Sequence, residues 1–151
     1  MNLIPEKDYK KILETMPLCC TDVIIHQNGK VLLVKRKEEP AKNEWWVPGG
    51  RLHKNIKLED GIKSKAVEEV GFEIKVEKIL GVYEFFFDKG IYPDLKTGTH
   101  GVSVCFLAKP KDDNPQIKID NTSENYRWFD KIEKNFHPYL KKMLKDSKII
   151  E

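Results

Sequence analysis

Apolar positions along the chain follow two periods, one of a helix and one of strands. Within residues 58–70, Ile62, Ala66 and Val70 recur at helical spacing, which predicts a helix that Gly71 ends in a left-handed conformation. Glu59 and Asp60 in its first turn suit the positive end of the helix dipole. Ahead of it, Trp45-Trp46-Val47 read as a strand end, Pro48-Gly49-Gly50 as a sharp turn and residues 51–57 as a polar loop. A loop, helix and loop in this order fit an anion or metal site. At about 100° per residue, Glu69 falls between Leu58 and Ile62 beside the apolar stripe. A carboxylate there needs a cation: either Lys65, one turn earlier, or a metal ion.

The remaining pattern supplies the frame. Tyr9, Ile12, Leu13 and Met16 predict a helix over residues 6–16 that Pro17 ends, a packing helix over a sheet edge or a partner subunit. Residues 18–26 and 30–36 read as strands joined by Asn28-Gly29, a strong hairpin signal, and Asp22 interrupts the first of them. A polar connection, 37–44, leads to Trp45 and Trp46, which alternation assigns to opposite sheet faces, one to the core and one to a cleft wall. Residues 72–88 are rich in β-formers and predict a strand pair or a bent strand broken near Gly81. A loop over 89–98 is long enough to cover a site, and a strand follows over 100–108. Then come a turn at 111–115, a short strand at 116–120, a polar loop at 120–125 and a strand at 126–129. A closing helix is predicted over 138–148, with Leu140, Met143 and Leu144 facing inward. Strands alternating with helices, with at least one hairpin, predict an α/β fold with a mixed sheet between helices.

Composition narrows the class. A length of 151 residues suits one domain over 1–151, and contents of 40% hydrophobic and 34% charged residues fit a soluble protein. No apolar run reaches membrane-spanning length and the first ten residues carry no leader-like apolar stretch, so a cytoplasmic location is expected. Cys19, Cys20 and Cys105 show neither zinc spacing nor a disulfide framework and are expected as buried free thiols. A net charge of +3 from scattered lysines gives no warrant for nucleic-acid or membrane partners, while it tolerates an anionic small molecule.

Pro48-Gly49-Gly50 followed by Glu68-Glu69-Val70-Gly71-Phe72 at this spacing resembles the Nudix box, and the resemblance extends over most of the chain. In that family the box binds Mg²⁺ and the diphosphate of a nucleoside diphosphate joined to another group. The box here departs from the pattern at three signature positions, which hold Ile56, Ser64 and Lys65. Within the family the chain is most similar to the GDP-mannose mannosyl hydrolase branch, whose box is also altered at the position of Lys65. The shared residues include Met16-Pro17-Leu18, Asp22, Leu32-Leu33, Lys35-Arg36, Pro40-Ala41, Trp45, Val47 to Arg51, Gly81-Val82, Thr99-His100 and Tyr126-Arg127-Trp128.

The resemblance implies a Nudix-type α/β/α sandwich and a Mg²⁺-dependent hydrolase of a nucleotide sugar of the GDP-mannose or GDP-glucose type, acting as a homodimer. It implies the Gly49 carbonyl and Glu69 as metal ligands, Arg36 and Arg51 as clamps on the leaving diphosphate, and Asp22 and His100 as substrate contacts. The branch's histidine base aligns with Ser123, and serine is no base near neutral pH without an activator. Glu124 takes that role if the loop shifts by one residue, with His53 and His137 as alternatives. Two further functions stay open: a nucleotide-sugar-binding protein with little turnover, and an ordinary Nudix hydrolase that cleaves phosphorus–oxygen bonds.

Overall fold

The structure, a computed structural model, describes residues 3–151; Met1 and Asn2, the first of the ten residues read above for a leader-like stretch, lie outside the described residues. Three helices, α1 (Glu6–Thr15), α2 (Leu58–Val70) and α3 (Pro138–Ser147), flank one sheet. Its seven strands are β1 (Leu18–Gln27), β2 (Lys30–Arg36), β3 (Trp45–Trp46), β4 (Gly49–Arg51), β5 (Ile74–Phe87), β6 (Thr99–Pro110) and β7 (Ser123–Phe129). The main path runs β3-β2-β1-β6-β5, with β4 paired to β1 and β7 to β2. Strands β1 and β6 run parallel, from Leu18 opposite Gly101 to Ile25 opposite Ala108, and the other pairs are antiparallel. The sheet is therefore mixed, as the alternating elements predict.

Alternation along β1 splits the core. Val23 and Ile25 meet Ile62, Ala66 and Val70 of α2 on one face. Ile24 turns to the other face, where Leu140, Met143 and Leu144 of α3 cover it. All of these side chains are fully buried. Burial of one such aliphatic group contributes about 1.5–3 kcal/mol, so the amphipathic helices hold their positions by their apolar stripes. A smaller cluster, built on Leu13, Leu18, Cys20 and Leu95, seats α1 and the 89–98 loop beside the end of the sheet.

Several expectations are corrected. Residues 116–120 form no strand: Lys118 N–H donates to the Val70 carbonyl at 2.9 Å and Asp120 N–H to the Glu69 carbonyl at 3.2 Å. Those backbone groups satisfy the last carbonyls of α2 instead of a neighbouring strand, while Ile117 and Ile119 pack on the α2 side of the core. Gly71 is fixed there twice over, by φ of +83° and by a Cβ position 2.9 Å from the Lys118 Cβ. Strand β7 begins at Ser123, earlier than expected, because a bulge between Lys35 and Arg36 of β2 extends the pairing to Ser123. Residues 74–87 are one bent strand with irregularities at Val76/Lys78 and Ile79/Gly81. Cys19 is exposed, since alternation turns it away from the neighbours that bury Leu18 and Cys20. Lys65 makes its ion pair with Glu68, at 3.4 Å, and not with Glu69.

Candidate active site

A cleft of about 140 Å³ opens on the α3 side of the sheet, where β1, β4 and the end of β6 meet. Its polar lining includes Asp22, Arg36, Gly49, Gly50, Arg51 and Thr99. Trp46, Phe85, Phe87 and Ile91 supply apolar wall. Local pairing explains the convergence: β4 lies against β1 with Asp22 opposite Gly49, Thr21 opposite Gly50 and Cys20 opposite Arg51. Helix α1 contributes Tyr9, over whose ring the Arg51 guanidinium lies at 5.5 Å. The 89–98 loop is tied to α1 by Lys10 and Asp94 at 2.8 Å and brings Ile91 to the rim.

Asp22 is 5% exposed, which is unusual for a lone carboxylate in a strand. Burial pushes its carboxyl up to about 6, against the nearby Ser103 hydroxyl, the Tyr139 hydrogen bond and the charge of Arg36. The Tyr139 hydroxyl donates to Oδ2 at 3.0 Å. Ser103 Oγ, also buried, lies beside this pair without settling into a well-formed hydrogen bond. The second oxygen, Oδ1, points at the turn: a Cβ on Gly49 would stand 2.1 Å from it and 2.4 Å from the Thr21 carbonyl oxygen. Only glycine admits this approach. Arg36 is largely enclosed, its Nε donating to the Pro40 carbonyl at 2.7 Å. Burial lowers its pKa while Glu69 and Asp22 raise it, so the guanidinium is held by charge on both sides.

The turn also faces α2. Asp22 and Gly49 form a non-hydrogen-bonded pair of the ladder, with Val23 N–H donating to the Pro48 carbonyl at 2.9 Å, so both peptide groups of Gly49 point away from β1. The Gly49 N–H meets Glu69 Oε2 at 3.2 Å. Burial pushes the half-buried Glu69 carboxyl up to about 8, against the Gly49 hydrogen bond and the charge of Lys65. A partly buried carboxyl beside an uncommitted peptide carbonyl offers two hard oxygen donors, a set that suits Mg²⁺ held partly by water and phosphate oxygens. Among the described residues no three Asp, Glu, His or Cys side chains converge to hold a metal unaided. An ion held by these two donors would complete its shell with water or with oxygens of a bound anion.

The structure brings Asp22, Arg36, Gly49 and Arg51 into the cleft and sets Glu69 behind the turn. It does not bring His100 or Glu124 there. His100 lies outside, stacked on Phe86 with ring centroids 4.3 Å apart and 3.0 Å from a Glu84 carboxylate oxygen; Thr99 faces the cleft instead. Glu124 is paired with Lys35 at 3.5 Å, while the preceding Ser123 is buried. His137 Nδ1 caps α3 by accepting from Tyr139 N–H at 3.1 Å, and its ring lies 5.5 Å from Trp46. His53 lines a different hollow, on the α2 side. Sequence reasoning missed Tyr9, Thr99, Ser103 and Tyr139. Tyr9 gave only a helical-spacing signal, and Tyr139 is 117 residues from Asp22, so no local pattern joins them.

The sequence profile of the NUDIX domain matches residues 20–146. The chain is 33% identical over 141 residues to the low-salt glycan biosynthesis protein Agl8 of Haloferax volcanii, covering 93% of this chain and 88% of that protein. It is 33% identical over 106 residues to an ADP-ribose pyrophosphatase of Methanocaldococcus jannaschii, covering 70% of this chain and 59% of that one. Among solved structures, a MutT protein from Methanosarcina mazei Go1 superposes with a TM-score of 0.68 at 19% identity, over 87% of this chain and 96% of that one.

Proposed function

Because the chain belongs to the Nudix hydrolase family, we propose that it hydrolyses a nucleoside diphosphate joined to a sugar, with Asp22 as the proton acceptor. One observation carries this reading: Asp22 is the only carboxylate among the cleft-lining residues, and it shares the cleft with Arg36, Arg51 and the Gly49-Gly50 turn. The guanidinium groups stay charged and offer planar forks to diphosphate oxygens. Trp46, Phe85 and Phe87 supply apolar surface for the flat or less polar face of the bound group.

Tyr139 donates to Oδ2, so Oδ1, packed against the Gly49 turn, is the oxygen that would take the proton. With its carboxyl pushed up to about 6, it is a base near the working pH that Ser123 cannot be. Water adds to the anomeric carbon, its proton passes to Asp22, and the bond from that carbon to the diphosphate oxygen breaks. Free sugar and nucleoside diphosphate result. Gly49 through its carbonyl and Glu69 are the groups that would hold Mg²⁺, which when bound offsets charge on the departing diphosphate. The names of the relatives support the substrate class: one is a glycan biosynthesis protein, the other an ADP-ribose pyrophosphatase.

The test is incubation with GDP-mannose, GDP-glucose and ADP-ribose, with and without Mg²⁺, followed by product analysis. Nucleoside diphosphate plus free sugar is the expected result for the two GDP-sugars, whose diphosphate sits on the anomeric carbon; ADP-ribose carries its diphosphate on the primary hydroxyl and should not be cleaved by this route. Nucleoside monophosphate plus sugar phosphate would assign phosphorus–oxygen cleavage, and tight binding without products a binding role. A homodimer belongs to the same proposal and is read by sedimentation velocity.

A further inference from the structure

The cleft beside Asp22 measures about 140 Å³, whereas clefts that enclose a small-molecule ligand run to about 300–1,000 Å³. A nucleotide sugar is a large member of that class, so part of the wall must give way before it enters. Most of the wall is fixed. Asp22, Trp46, Phe85, Phe87 and Thr99 stand on strands of the sheet. The 37–44 connection is tied down as well, because the Pro40 carbonyl accepts from Arg36 Nε at 2.7 Å and Ala41 packs on the α3-side core. What remains is Tyr9 of α1 and Ile91 of the 89–98 loop.

These two elements are the most lightly held parts of the wall. Helix α1 buries one side chain, Leu13, where α2 buries three and α3 five. Neither core on the faces of the sheet contains an α1 side chain; Leu13 sits in the small cluster with Leu18, Cys20 and Leu95, the last from the loop itself. An element with so little buried apolar surface opens at a lower cost than the core does. The loop's two ends are pinned where Phe87 pairs with Thr99, so motion belongs to its tip.

Polar contact between helix and loop runs through Lys10. Its ammonium lies 2.8 Å from Asp94 Oδ2, 2.9 Å from Glu6 Oε1 and 5.1 Å from the centre of the Tyr92 ring. Tyr9 meets the same Tyr92 ring edge-on, with centroids 6.3 Å apart. Asp94 is 65% exposed, so the pair is a weak catch that thermal motion releases.

Resting on the nucleotide-sugar reading, we propose that α1 and the 89–98 loop are a two-part cover, coupled through Lys10, that parts to admit the substrate and closes around it. Differential contact supplies the bias. In the shut arrangement Tyr9 and Ile91 face the cleft, and the Arg51 guanidinium lies over the Tyr9 ring at 5.5 Å. A ligand held by Arg51 therefore gains contacts from the closed cover that the open form lacks.

The experiment is amide hydrogen exchange of the intact protein, read by mass spectrometry, free and with saturating GDP and Mg²⁺. In the free wild type, residues 9–16 and 91–97 are expected to exchange faster than α2 and α3, and bound GDP should slow both segments. Lys10→Gln and Asp94→Asn should each speed exchange in both segments by about two- to fivefold, the range a surface ion pair allows. The double variant should do no more than Lys10→Gln alone, because one contact is being removed twice. Lys11→Gln, at the next residue and outside these contacts, should change nothing. Thermal melts establish that each variant keeps the fold. Exchange in the two segments as slow as in α3, acceleration confined to α1 in the Lys10 variant, additive effects in the double variant, an equal effect of Lys11→Gln, or no slowing by GDP that calorimetry shows to be bound would each overturn the proposal. Turnover of GDP-mannose separates the two readings. The exchange pattern without turnover defeats the hydrolase reading alone, and turnover without the pattern defeats the cover alone.

Discussion

The Tyr139 hydroxyl of α3 donates to the Asp22 carboxyl of β1 at 3.0 Å, in a position where both side chains are under 9% exposed. The bond joins the closing helix to the floor of the cleft. Replacing Tyr139 by Phe leaves a buried carboxyl with one donor fewer, which should cost about 1–3 kcal/mol of stability. It should also move the acidic limb of the pH–rate profile upward, because the bond favours the charged carboxylate. Urea unfolding and a pH profile of turnover check the two effects separately.

Asp22→Asn should lower turnover by roughly 10²–10⁴-fold, the usual contribution of a positioned base. Its stability should respond in the opposite sense at neutral pH. Burial raises the carboxyl from 3.8 to about 6, so its contribution to stability is fully present below the unfolded value and is lost as pH rises through the folded one. That difference corresponds to about 3 kcal/mol. Unfolding curves at pH 5 and pH 8 should therefore differ less for the variant than for the wild type.

Gly49→Ala should fail to fold or lose several degrees of melting temperature, because its Cβ would collide with Asp22 Oδ1 and two Thr21 and Asp22 backbone atoms. Gly29→Ala makes the contrast. Nothing lies within 4 Å of its Cβ position, so only the backbone strain of φ +72° remains, about 1 kcal/mol. Differential scanning fluorimetry of both variants distinguishes collision from strain.

Glu69→Gln should abolish Mg²⁺-dependent turnover while leaving the circular dichroism spectrum unchanged, since glutamine keeps the shape and can still accept from the Gly49 N–H. Without metal the variant should be at least as stable as the wild type above pH 8, where the native carboxyl, pushed up to about 8 by burial, must carry its charge. An unchanged Mg²⁺ titration would remove Glu69 from the mechanism.

The sequence carries α2 with its bounds and its glycine stop, because a helix stripe and a left-handed terminus are local features. The convergence of Asp22, Arg36 and Arg51 is also near the surface of the pattern, since a hairpin and a short turn strand bring them together. Parity is what a sequence withholds. Thr99 faces the cleft and His100 does not; Ser123 is buried and Glu124 is not. Which side of a strand turns inward depends on the partners of β6 and β7, and a one-residue slip exchanges the two sides. Tyr139 was illegible for a different reason: 117 residues separate it from Asp22, and the contact follows from how α3 packs on the sheet.

Strand β4 is three residues long, and Arg51 at its end lines both the cleft and the hollow on the α2 side. Phe85, Phe87 and Ile91 line the cleft alone, so exchanges there leave the hollow on the α2 side untouched. Exchange at Arg51, by contrast, would alter recognition and anion grip in one stroke.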